Sequence, residues 1–189
     1  MRFSPPPPGV EVLLLVLVLA AAVFDVRYRR IPNWLTVAGV ALGLGMNAVL
    51  SRSPAPGNWG MFRASLIGMG AGFGVYFILY ALRAMGAGDV KLMAAVGAVA
   101  GWPNWFGIFI LTSILGGIMA LILVVLRKRL KKTLFNVGFI LNEMKSGRPA
   151  YVGKEELDVR NPKAMSLPHG AVIAIGTLFF LALAARIIG

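Results

Sequence analysis

Cysteine is absent from this 189-residue chain, histidine occurs once, at His169, and only seven residues are acidic. Without cysteine there can be no disulfide, no thiolate zinc site and no thiol nucleophile. Any hydrolytic chemistry must come from carboxylates, hydroxyls or His169. What the chain has in excess is apolar surface: 58% of residues are hydrophobic and the mean hydropathy is +0.80, against about 45–50% apolar residues in soluble domains. That composition is one of an integral membrane protein. The net charge of +12 would point to a polyanion in a soluble chain, but no basic face is interleaved with aromatics as nucleic-acid binding requires. Lys and Arg also accumulate in the cytoplasmic loops of membrane proteins. The expected partner is the lipid bilayer, not nucleic acid.

The apolar runs predict an all-α, polytopic membrane protein of about six transmembrane helices. It reads as one membrane-embedded domain over residues 1–189, with a Pro-rich segment at 1–9 and a basic cytoplasmic loop at 127–166. Four consecutive prolines in the first segment disfavour helix and predict an extended lead-in. Residues 10–24 form the first span, about 22 Å long at ~1.5 Å per residue and so shorter than a hydrocarbon core of about 30 Å. Asp25 therefore falls at or just inside the membrane boundary. Ala20-Ala21-Ala22 would suit a cleavable signal peptide, but Arg27, Arg29 and Arg30 follow the run and only Arg2 precedes it, which holds the C-terminal flank in the cytoplasm.

Pro32 and Asn33 open the second span, residues 34–50, with Trp34 as an interfacial anchor. A Pro-, Gly- and Ser-rich loop at 51–60 leads to the third span, residues 61–82. Its Gly68, Gly70, Gly72 and Gly74 give two overlapping small-xxx-small pairs for close helix packing. Residues 90–101 are too short to cross easily, so a re-entrant segment competes with a short helix tucked inside the bundle. The charge pattern favours crossing. Residues 105–126 then return the chain to the side where Arg127, Lys128, Arg129, Lys131 and Lys132 belong. Within the polar segment, residues 135–144 have the spacing of an interfacial helix, and residues 167–188 form the last span. Both termini then lie outside, and fifteen of the nineteen Lys and Arg face the cytoplasm.

Two carboxylates stand out against this background. Asp89 sits between apolar runs in Met85-Gly86-Ala87-Gly88-Asp89-Val90-Lys91, and Asp25 closes the first run. Ionisable groups at such positions are costly and mark function. With the spans placed as above, both lie near the cytoplasmic edge, which is a geometry for a dyad. Two carboxylates within a few ångströms cannot both ionise, so one can deprotonate a water while the other supports a developing oxyanion. Glycines beside Asp89 would let a substrate strand approach the backbone, since they carry no side chain and tolerate positive φ. The structural alternatives are helix caps for the two aspartates, a snorkelling interface residue for Lys91 and an interfacial polar residue for His169. Spacing and chemistry alone leave open an intramembrane protease, a proton- or cation-coupled transporter, and an assembly scaffold.

Three stretches carry a resemblance: Asp25 with Arg30-Ile31-Pro32-Asn33, Gly86-Ala87-Gly88-Asp89-Val90-Lys91-Leu92, and Pro168-His169-Gly170-Ala171. Together, and in this order, they resemble the type IV prepilin peptidase family of GXGD intramembrane aspartyl proteases. The resemblance implies Asp25 and Asp89 as catalytic residues, Gly86 and Gly88 as motif glycines, and Lys91, Pro32 and Asn33 as substrate contacts or motif support. It also implies a pilin or pilin-like precursor as substrate and the pilus assembly machinery as a partner. The basic leader would be cut at the cytoplasmic face of the inner membrane, with no metal or cofactor. Larger members carry an early cytoplasmic insertion, often with paired cysteines, and also methylate the new N-terminus. This chain has only residues 26–33 at that place, so it resembles the short Flp/Tad form, or secondarily an archaeal preflagellin peptidase, without methyltransferase activity. The charge split predicts that cysteines introduced at Ser51 and Ser146 label from opposite sides of the membrane, Ser146 from the cytoplasm. Labelling of both from outside would refute the six-span topology.

Overall fold

A computed structural model of the chain describes residues 6–51, 60–128, 130–145 and 168–188, and the regular structure among them is all α-helical. The helices are α1 (Pro8–Tyr28), α2 (Asn33–Leu50), α3 (Gly60–Ala81), α4 (Ala87–Leu126), α5 (Leu130–Lys145) and α6 (His169–Ile188). All but α5 are long and apolar enough to cross a membrane, so the fold is that of an all-α polytopic membrane protein. The loop expected at 51–60 and the acidic part of the 127–166 segment fall largely outside the described residues.

Two boundaries differ from expectation. Helix α1 begins at Pro8, inside the segment expected to be extended, because a proline at the first helical position gives up an N–H that would have no partner there anyway. The same helix runs past Asp25 to Tyr28, and Arg29 (φ 53°) closes it by donating its N–H to the Asp25 carbonyl at 2.9 Å. Asp25 thus opens the last turn of the helix rather than ending it.

Helix α4 is a hairpin. Gly101, at φ 75° and ψ 164°, breaks it into limbs of residues 87–100 and 102–126, and such a backbone suits glycine alone. A methyl group placed on Gly72 would lie 2.8 Å from the Met93 carbonyl carbon and 2.9 Å from Trp105 Nε1. In a straight helix those two residues would be about 18 Å apart at ~1.5 Å per residue. The limbs must therefore run antiparallel, and Gly68, which faces both Gly97 and Gly101, meets the same reversal one turn earlier. The turn is tighter than the break expected between residues 101 and 105. Trp102 is already helical, and Pro103 sits in the first turn of the second limb, where it is tolerated.

The first limb is the short helix inside the bundle. Every residue from Leu92 to Gly101 is buried, as expected for a helix that is apolar on all sides. Glycines allow its neighbours to approach. Gly39 and Gly43 of α2 face Ala95 and Val99, while Gly68 and Gly72 of α3 meet the limb's backbone. Buried Asn47 ties α2 to the same limb by donating from Nδ2 to the carbonyls of Ala98 (3.3 Å) and Val99 (3.0 Å). Only one of the two glycine pairs expected in α3 is used, for nothing lies within 4 Å of a Cβ built on Gly70 or Gly74. Helix α5 covers the stretch expected to lie on the membrane surface and leaves Leu134 and Phe135 exposed.

Gly68→Ala and Gly72→Ala should each destabilise the protein by about 1–3 kcal/mol through overpacking. Gly70→Ala and Gly74→Ala should be neutral or stabilising by up to ~1 kcal/mol, the gain in helix propensity. Unfolding in detergent measures both, and equal penalties at all four sites would refute the packing described.

Candidate active site

The end of the bundle that holds Asp25 gathers the C-terminal turn of α1, the start of α2, the end of α3, the start of α4 and the start of α6. A cleft of about 520 Å³ opens there. Asp25 and Asp89 both line it and lie within electrostatic reach of each other. Gly86, Gly88, Pro32, Asn33 and Lys91 line the same cleft. All seven residues of the predicted site thus come together, from α1, α2, α4 and the α1–α2 and α3–α4 links.

Asp25 is buried, with 8% of its surface exposed. Its position is unfavourable in itself, since the C-terminal turn of a helix carries partial negative charge. Helix α6 offsets this. The Gly170 N–H, one of the unpaired donors of the first turn of α6, donates to Asp25 Oδ2 at 2.7 Å. A Cβ on Gly170 would stand 3.1 Å from both Asp25 Cβ and Oδ2, so glycine is what lets α6 reach the carboxylate.

Asp89 is held locally. Its Oδ2 accepts the Gly86 N–H at 3.2 Å, while its own N–H donates to the Gly86 carbonyl at 3.2 Å, a reciprocal cap at the start of α4. The capping role is thus present in Asp89, whose carboxylate also lines the cleft shared with Asp25. Neither motif glycine adopts the positive φ that the sequence allows: Gly86 has φ −80°, and Gly101 is the positive-φ glycine among the described residues. A Cβ on Gly86 or Gly88 would meet Asp89 Oδ2 or Ile31 at an ordinary 3.4 Å. What the two glycines provide is bare backbone on the wall of the cleft.

Lys91 does not point to Asp89. Its Nζ donates to Asn33 Oδ1 at 2.8 Å, joining α4 to α2 at the rim. Arg29 and Arg30 add positive charge to the same rim. Sequence reasoning assigned no part here to Gly170 or Tyr76 and treated His169 as interfacial. The structure brings all three close: His169 lies within electrostatic reach of Asp25, and its ring centroid is 6.0 Å from that of Tyr76, which is itself in reach of Asp89. His169 Nε2 is buried without a hydrogen-bond partner among the described residues. For Gly170 the signal was present in the Pro168-His169-Gly170 stretch. For Tyr76 it was only a hydroxyl in an otherwise apolar span.

Comparison with known proteins bears on this arrangement. Residues 12–121, which include both aspartates, match the family model described as the type IV leader peptidase family. The chain belongs to the type IV leader peptidase family. It is similar to a prepilin leader peptidase/N-methyltransferase of Escherichia coli (strain K12), 33% identical over 125 residues that cover 61% of this chain and 51% of that protein. A protein of the same description from Aeromonas hydrophila is 32% identical over 135 residues, or 67% of this chain and 44% of the relative. The chain thus spans about half the length of the curated relatives it matches. No solved structure matches it. In this leader peptidase family member the contact of α6 with Asp25 can be isolated thermodynamically. Gly170→Ala should cost about 1–3 kcal/mol of stability, the range for disturbing a hydrogen bond to a buried charged group. Most of that penalty should vanish in an Asp25→Ala background, because bond and clash both involve the carboxylate. An unchanged penalty there would show that Gly170 answers to something else.

Proposed function

We propose that this protein is a prepilin leader peptidase of the aspartyl type, cleaving the basic leader from a Flp-type pilin precursor at the cytoplasmic face of the inner membrane. The observation that carries the reading is that Asp25 and Asp89, delivered by separate helices, line one cleft within the region matched to the leader peptidase family. In the proposed reaction one carboxylate takes a proton from a water in the cleft as the water's oxygen adds to the scissile carbonyl. The protonated partner donates to the developing oxyanion, and collapse of the tetrahedral intermediate breaks the C–N bond as the amine leaves with a proton. The bare backbone at Gly86 and Gly88 is where an extended substrate would lie, with Asn33 and Lys91 at its side.

The curated relatives are named for methyl transfer as well as cleavage. Cleavage alone is proposed for this chain, because only residues 29–32 join α1 to α2 where the larger members of the family carry their insertion. Pilus assembly proteins are proposed as downstream partners.

The test is precursor cleavage in liposomes, with S-adenosylmethionine present and the product weighed by mass spectrometry. Asp25→Asn and Asp89→Asn, each verified as folded, should each lose at least about a thousandfold in rate. The double variant should be within a few-fold of either single one, since groups serving one step are non-additive. The rate should fall at both pH extremes, with apparent constants that belong to the pair. Near wild-type cleavage by either folded single variant would remove that aspartate from the mechanism, and a methylated product would overturn the restriction to cleavage.

A further inference from the structure

A second cavity, of about 490 Å³, shares Asn33 and Lys91 with the cleft at the two aspartates and continues from it along α2. Val37, Val40 and Ala41 form one wall, at the spacing that puts residues on a single helix face. Phe73 of α3 stands opposite, and Ala94, one turn beyond Lys91, is the floor. From Asn33 to Ala41 the groove runs about 12 Å at ~1.5 Å per residue, away from the aspartates and toward the other end of the bundle.

Three features fit this groove to a peptide helix. It is apolar beyond its mouth, for the Thr36 hydroxyl is already satisfied by donating to the Asn33 carbonyl at 3.0 Å. It is open sideways: Val37 is 66% and Phe73 48% exposed, so a helix already in the membrane could enter laterally. Finally, Ala41 and Ala94 are small, which lets a second helix approach closely. The mouth is polar where the groove meets the cleft, with Lys91 and Asn33 hydrogen-bonded across it. A chain that is extended at the aspartates and helical and apolar immediately afterwards would match this sequence of surfaces.

We infer that the substrate carries a membrane-embedded apolar helix on the C-terminal side of the bond cut at the aspartates, and that the α2–α3 groove is where this helix docks. The inference rests on the peptidase reading above. The groove holds the helix along α2, and the Asn33–Lys91 rim marks where helix gives way to extended chain. Selectivity for membrane-anchored substrates then comes from a surface separate from the two aspartates.

The test uses the full chain in liposomes with two designed substrates. One is a basic leader ending in Gly joined to an apolar helix of about 20 residues, the length of a membrane span; the other is the same leader with a soluble tail. A photo-crosslinking residue at Val37 or Val40 should capture the helix of the first substrate, whereas one at Leu121, exposed on the second limb of α4, should not. Ala41→Trp, at an exposed position that tolerates bulk, should lower the preference for the helical over the soluble substrate at least tenfold. Capture at Leu121 instead, lipid adducts alone at Val37 and Val40 while cleavage proceeds, or an unchanged preference in Ala41→Trp would overturn the groove assignment and leave the peptidase reading standing. Failure of the wild-type protein to cleave either substrate would overturn the peptidase reading and the groove with it.

Discussion

Backbone-to-backbone contact between α3 and the hairpin of α4 is the constraint on which the rest of the bundle depends. Gly72 meets the Met93 carbonyl region, and Gly97 meets the backbone of Gly68. No hydrophobic effect drives apolar helices together in lipid, so close van der Waals packing must do the work, and it needs small residues. With the first limb of α4 drawn into the middle, its fourteen or so residues need not match the membrane thickness, because other helices and not lipid surround them. The limb is fully buried from Leu92 onward, and Asp89, half-buried in its first turn, stands where that buried stretch opens into the cleft.

That placement explains how two acids are maintained at one end of an apolar bundle. Asp89 is satisfied by the backbone of its own helix start, a local arrangement. Asp25 is satisfied from 145 residues away, by the Gly170 N–H at the start of α6. Burying a carboxylate is costly unless hydrogen bonds compensate, and here the compensation consumes one oxygen of each acid. The cleft in front of them is bounded by Arg29, Arg30 and Lys91, whose positive charge offsets that of the two acids.

Much of this was legible from the chain. The all-α membrane class and the order of the helices followed from the apolar runs, and the Gly86-Ala87-Gly88-Asp89 stretch identified the start of a helix by its glycines and acid. The expected short helix inside the bundle is present, and the seven residues of the predicted site line one cleft. Asp25 and Asp89 could be paired in advance because, in a membrane protein, alternating crossings fix which helix ends share a side. Depth is then set by how far each acid lies from the end of its run.

The sequence by itself determined the class of molecule, the order of its spans and the pair of acids, because hydropathy and charge act locally and need no neighbour to be read. It did not determine which faces meet. In a helix apolar all round there is no polar side to orient it, so Gly68 and Gly72 look the same as Gly70 and Gly74 until α4 packs on one pair and leaves the other open. Tertiary structure also decided that Gly101 alone would turn the chain, that Gly170 would hold Asp25, and that Tyr76 and His169 would meet beside the aspartates. Each of these depends on contacts between residues far apart in the chain, and such contacts leave no periodicity in a sequence to read.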